Sequence, residues 1–216
     1  LVVNWLCLSA LLRAQGTKYP FNPYQNLFSE VYARYPHLPK GLLEAVAWRE
    51  SRFMPLLPDE PSCMAIPQGW GLFGWIEEGK GYFRENLRLI AEKTGFPLNE
   101  LRVSPALQVE AFASAYEAYC QSRGLPPQDP LSVKSFLVAV SYLPLPEDLV
   151  NDFALQSELF ETFRFLTDPE AAAQYHFPRW EVDLRELFGK NYSILAFSSV
   201  IVSDEEVKTT EGIAFQ

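Results

Sequence analysis

Apolar and polar positions along most of this chain recur with the period of a helix rather than that of a strand. From Pro39, a residue suited to a first helical position, the apolar run continues to Phe53, broken only by Gly41 and ending before Pro55. A stretch rich in Pro, Gly and Trp, from Pro55 to Gly81, reads as a loop. A second helix is predicted from Tyr82 to Lys93, with Phe83, Leu87, Ile90 and Ala91 on one face and Gly95 beyond its end. Ser104 followed by Pro105 starts a third, which buries Val109, Phe112, Ala113, Tyr116 and Cys120. Asp129 and Pro130 repeat that arrangement ahead of "LSVKSFLVAVSY", and "DFALQSELFETFRFL" forms a fifth helix. It ends before Asp168 and Pro169, where a short sixth begins.

Past "YHFPRW" the pattern changes. "YSILAFSSVIVS" is β-branched and aromatic, and the last dozen or so residues are polar and unpatterned. The expected architecture is mainly α: one helical bundle over residues 15–176, then an extended, partly β appendage and linker over 177–216, with Gln216 a fragment end.

Composition agrees with a globular chain able to bury a core, since 48% of its 216 residues are hydrophobic and 14% aromatic. The formal net charge of −9, with no Lys/Arg stripe, argues against nucleic acid or an anionic membrane surface as partner. The opening "LVVNWLCLSALLRAQG" is too short an apolar run to span a bilayer, which takes about 20 residues. It fits the apolar core of a secretory signal cleaved after Ala14, so export is expected; a buried first helix is the other reading. With Cys7 removed in that way, Cys63 and Cys120 remain, either as a disulfide or as two buried thiols. In the chain-entropy model a bridge closing that loop would add ~4 kcal/mol. Cys63, Cys120, His37 and His176 lack the close paired spacing of a zinc site, so no metal is expected.

One acid is out of place. At about 100° per residue, Leu42, Leu43, Val46 and Ala47 lie within about 80° of Glu50, so this carboxyl falls at the centre of an apolar stripe. Burial raises a carboxyl's pKa, and an acid still protonated near neutral pH can protonate a glycosidic oxygen. On helical geometry alone, a structural pairing with Arg49 or Arg52, or capping of a neighbouring helix, is the favoured reading.

"LLEAVAWRESRF" resembles the helix that carries the catalytic acid in the lysozyme-like superfamily of soluble lytic transglycosylases and goose-type lysozymes. Their pattern is an apolar helix ending in Glu-Ser, here Glu50 and Ser51, followed by a Gly-Leu-Met-Gln turn, here "GLFGW" from Gly71 to Trp75. Their later Ala-Tyr-Asn-Ala-Gly-like segment corresponds to "VAVSYLPLP", Val138 to Pro146. The likeness spans residues 36–166 and is closest to the lysozyme-like domain that precedes an amidase domain in some exported cell-wall proteins. "SCMAIP", "GWGLFGW" and "GKGYFREN" carry that closer likeness. Gly74 stands where the family has glutamine, and Val140 and Ser141 stand where it has tyrosine and asparagine, with Tyr142 displaced by two positions.

The resemblance implies a lysozyme-like fold and a peptidoglycan-cleaving glycosidase that needs no cofactor. Glu50 would protonate the bridging oxygen and then accept the proton of the muramic acid C6 hydroxyl, leaving a 1,6-anhydro sugar. Ser51, Trp70, Gly71, Phe73, Ser141 and Tyr142 are the substrate-binding candidates, Trp70 being favoured for stacking on a pyranose. Glycine at 69, 71 and 74 lets backbone approach a ligand or simply make a turn. Trp48 is expected in the core. A hydrolase would need a second acid, for which Asp59 or Glu60 is the candidate; Glu77 and Glu78 read as solvated turn residues. The alternative is a catalytically degenerate glycan-binding module that positions a downstream amidase domain.

Overall fold

A computed structural model describes residues 18–56, 67–203 and 206–216. The expected signal segment, Cys63, and Asp59 and Glu60 lie outside the described residues. The chain is mainly α, as the pattern predicts. In order it forms α1 (Gln25–Arg34), α2 (Leu42–Ser51), a hairpin of β1 (Gly69–Trp70) and β2 (Trp75–Ile76), α3 (Asn86–Thr94) and the short α4 (Leu98–Leu101). There follow α5 (Pro105–Arg123), α6 (Pro130–Val140), α7 (Leu149–Thr167) and α8 (Pro169–Tyr175). The chain closes with α9 (Leu184–Phe188), a 3-10 turn (Gly189–Asn191), α10 (Tyr192–Leu195) and an antiparallel hairpin of β3 (Val200–Val202) and β4 (Val207–Thr209). No helix among the described residues is long and apolar enough to cross a membrane.

Side-chain caps set the helix starts. Ser104 accepts the Leu107 N–H at 3.3 Å and Asp129 the Leu131 N–H at 3.0 Å, each with proline next in the chain. Asp148 accepts from Asn151 N at 2.8 Å, and Asp168 from Glu170 N at 2.8 Å. Each cap holds an otherwise unpaired N–H and is worth about 1 kcal/mol.

The core gathers around α2. Every side chain from Leu42 to Ala47 is buried, so this helix is enclosed rather than amphipathic, and it packs along α7. Trp48 stacks on Phe165 of α7 at 5.2 Å and meets Tyr19 edge-on at 5.4 Å. The five residues expected to form the buried face of α5 are all buried; of these, Phe112 and Tyr116 pack against Phe136 of α6 at 5.2 and 5.0 Å.

Three elements differ from expectation. Helix α1 precedes the first predicted one; it buries only Phe28 and Val31, too few positions for a clear period. Helix α3 starts at Asn86, four residues later than predicted, because the Asn86 side chain is committed elsewhere. It donates to Val140 O at 2.9 Å and accepts from Ile76 N at 2.7 Å, and a turn closed on Gly79 O by Tyr82 N and Phe83 N precedes it. The segment from 177 onward contains strands but is not an extended appendage: α9, α10 and β4 fold back on α7. Phe188 lies 5.2 Å from Phe160, Phe215 lies 5.3 Å from Phe153, and Ile194, Leu195 and Val207 are buried in the same core.

Candidate active site

The turn between β1 and β2, residues 71–74, is laid against the C-terminal end of α2. Leu56 extends the hairpin, exchanging backbone hydrogen bonds of 2.9 and 3.0 Å with Gly71. Ser51 directs its hydroxyl at Leu72 O (2.7 Å) and at Ala47 O (3.0 Å), tying helix to turn. From the other side Gln108 of α5, fully buried, accepts from Leu72 N at 2.6 Å and donates to Leu101 O at 2.5 Å, with Trp70 O at 3.4 Å. Gly71 is required here. Its φ is +66°, and a Cβ would stand 1.9 Å from the Gln108 amide nitrogen. Gly74, at φ +58°, brings the turn so close to α2 that a Cβ would stand 3.3 Å from Glu50 Oε2.

Glu50, one residue from the end of α2, is one member of a buried group of three charges. Its side chain is 13% exposed, that of Arg49 15% and that of Glu158, on α7, 11%. Arg49 forms an ion pair with Glu50, Nε lying 3.1 Å from Oε1, and its Nη1 donates to Thr162 Oγ1 at 2.7 Å. Arg49 Nη2 also lies 2.6 Å from Glu158 Oε1, but off the N–H direction; the contact is a charge pair, and that oxygen has no aligned hydrogen-bond donor. Glu158 Oε2 accepts from Ser141 Oγ at 3.0 Å, and Ser141 Oγ accepts from Leu143 N at 3.1 Å. Both carboxyls bear on the same Arg49 nitrogen, Nη2, through their Oε1 atoms.

Burial pushes the Glu50 pKa up to about 7; the Arg49 charge opposes the shift, and the Glu158 carboxylate and its hydrogen bond reinforce it. The position near the helix C-terminus, the negative end of the helix dipole, acts in the same direction. For Arg49, burial works against the charge but the two carboxylates outweigh it, so its pKa is raised. Tyr142 is raised by burial and by the charges of Glu50 and Glu158 beside it.

The expected site residues divide into two sets. Glu50, Ser141, Tyr142 and Phe73 line one cavity together with Arg49, Glu158, Trp75 and Asn86. Phe73 and Trp75 are buried there, with Phe73 packed on Phe112 at 5.1 Å, and present no open face. Ser51 and Gly71 are committed to holding the turn. Trp70 is half-buried outside the cavity, with the Arg102 guanidinium 5.5 Å from its ring. The cavity measures about 20 Å³, room for about one water. A larger cleft, of about 460 Å³ between Pro36, Lys40 and Trp180, shares no residue with it.

Other expectations need correction or completion. Glu77 is not a solvated turn residue: it is buried and paired with Arg102, whose Nε donates to Oε2 at 2.6 Å, while Glu78 is exposed. Arg52 does not pair with Glu50; its guanidinium covers the Trp48 ring at 4.0 Å and donates to Trp48 O at 2.7 Å. Cys120 is a buried free thiol. Sequence reasoning missed Glu158 and Gln108. Each carries a detectable signal, since Glu158 falls at helical spacing from buried Leu155 and Thr162, and Gln108 from Phe112 and Ala111. Compared with protein-family models, curated proteins and solved structures, the chain matches none.

Proposed function

We propose that this chain is a peptidoglycan-cleaving glycosidase, a lytic transglycosylase that cuts the MurNAc-GlcNAc linkage with Glu50 as its single acid. The observation that carries the reading is a carboxyl with a pKa pushed up to about 7, held against the glycine turn at the end of its helix. Such a group is protonated often enough at neutral pH to give its proton to the bridging oxygen as the C1–O bond breaks. The resulting carboxylate then takes the C6 hydroxyl proton as that oxygen closes on C1, so no water is consumed. Glu158 does not fit the second acid of a hydrolase. Paired glycosidase carboxyls stand about 5 to 9.5 Å apart with the sugar between them, whereas Glu158 and Glu50 share one nitrogen of Arg49 in a cavity of about 20 Å³.

A second reading, a glycan-binding module that positions a downstream amidase domain, is favoured by the cavity. About 20 Å³ does not admit a pyranose, so a glycan strand has to lie across the exposed edge of Glu50 and Tyr142. Incubation of cell-wall sacculi with the wild-type protein and with Glu50→Gln, read by mass spectrometry of released muropeptides, separates the two. Anhydro-ended products from the wild type alone are expected. Sacculus binding without any product is the outcome of the second reading.

A further inference from the structure

The Glu50 cluster holds two carboxyls on one guanidinium. With both acids ionised, Glu50, Glu158 and Arg49 carry a net charge of −1 largely out of water, a state that burial penalises. One proton shared by the two carboxyls removes it. Ser141 biases where that proton rests. Its oxygen accepts from Leu143 N and its hydroxyl donates to Glu158 Oε2, a bond that favours the ionised form of Glu158. Glu158 Oε1 is buried and lacks an aligned donor, although Arg49 supplies charge from 2.6 Å. A hydroxyl on Glu50 would complete it. The remaining cavity residues carry no charge, and among the described residues lining the cavity Tyr142 is the only other titratable group.

We propose that Glu158, oriented by Ser141, is a positioning residue that keeps the proton on Glu50 by accepting its hydrogen bond. The inference deepens the glycosidase reading and rests on it for its consequence in catalysis, but its physical content can be measured without any substrate.

The test is a carbon-detected NMR titration of protein labelled at the glutamate carboxyl carbons, with Glu50→Gln used to assign the Glu50 signal. In the wild type a single near-neutral step is expected to move the Glu50 and Glu158 signals together. In Glu158→Gln, Glu50 keeps Arg49 but loses the acceptor and its charge, so its step falls by about one pH unit or more. Ser141→Ala, which removes only the donor to Glu158, moves the Glu50 step in the same direction by less and serves where the first variant does not fold. A Glu50 step unmoved in the variants, or a wild-type step seen by Glu50 alone, overturns the inference. The pH at which sacculus cleavage declines is expected to fall with the Glu50 step in both variants. Shifted titration with no cleavage by any form would retain the proton placement and remove the glycosidase reading; cleavage by the wild type with an unshifted titration would do the reverse.

Discussion

Replacing Gly71 by alanine tests whether that glycine serves the turn or a ligand. The substitution carries two costs. At φ +66° an L-residue is strained by about 1–2 kcal/mol. The new Cβ would also stand 1.9 Å from Gln108 Nε2 and 2.4 Å from Oε1, so the amide must leave its place. That withdraws the acceptor of Leu72 N and the donor to Leu101 O, both inside the fold, at about 1–3 kcal/mol for each group left unpaired. Together the loss is about 3–8 kcal/mol, a large part of the 5–15 kcal/mol of a typical domain. Urea unfolding followed by circular dichroism measures it. The sharper assay is a double-mutant cycle: in a Gln108→Ala background the clash has no partner, and Gly71→Ala should then cost only the backbone term of about 1–2 kcal/mol. A single-mutant cost below about 1 kcal/mol, or equal costs in the two backgrounds, would show that Gly71 is not held by the turn and Gln108.

Three further outcomes are expected. Glu44, buried in the first turn of α2 and accepting from Tyr32 Oη at 2.6 Å, has its pKa pushed up to about 7 by burial, against which the tyrosine hydrogen bond acts. The folded state therefore binds this proton more tightly than the unfolded chain, so stability falls as pH rises from about 4.5 to about 7, by about 3 kcal/mol from this group. Glu44→Gln, which retains an oxygen for Tyr32, should flatten that part of the urea-midpoint profile; an unchanged slope would count against the assignment. Ser51→Ala should cost about 1–2 kcal/mol in urea unfolding by freeing the turn from α2, and a neutral substitution would show that the tether is dispensable. The Cys120 thiol, whose pKa is raised by burial, should resist iodoacetamide in the native protein and react on unfolding; rapid native labelling, or a peptide bonded to Cys63, would contradict its free, buried state.

Where local chemistry determines structure, the sequence was readable. Ser104-Pro105 and Asp129-Pro130 announce the starts of α5 and α6 because cap and fixed φ act within one turn, and Gly124 ends α5 in the left-handed conformation for the same kind of reason. The position of Glu50 on a buried stripe was legible from period alone. What periodicity cannot express is a commitment between distant segments. Asn86 looks like a mid-helix residue until Ile76 and Val140 are seen to claim its side chain, and the helix then begins there. The C-terminal segment reads as an appendage because its helices are only a turn or so long, yet Phe188 and Phe215 anchor it to α7. The site shows the same division: the acid and its turn come from one stretch of chain, while Glu158 and Gln108 arrive from helices about 108 and 58 positions beyond Glu50.

The proposed role of Glu50 is delivery of a proton to a glycosidic oxygen. Its most direct test is the rate of anhydro-muropeptide release from sacculi by the wild-type protein and by Glu50→Gln across pH 5 to 9. For the wild type, release should be sustained below the Glu50 pKa of about 7 and decline as pH rises through it, with none from Glu50→Gln at any pH. Equal release by the two proteins would contradict the claim.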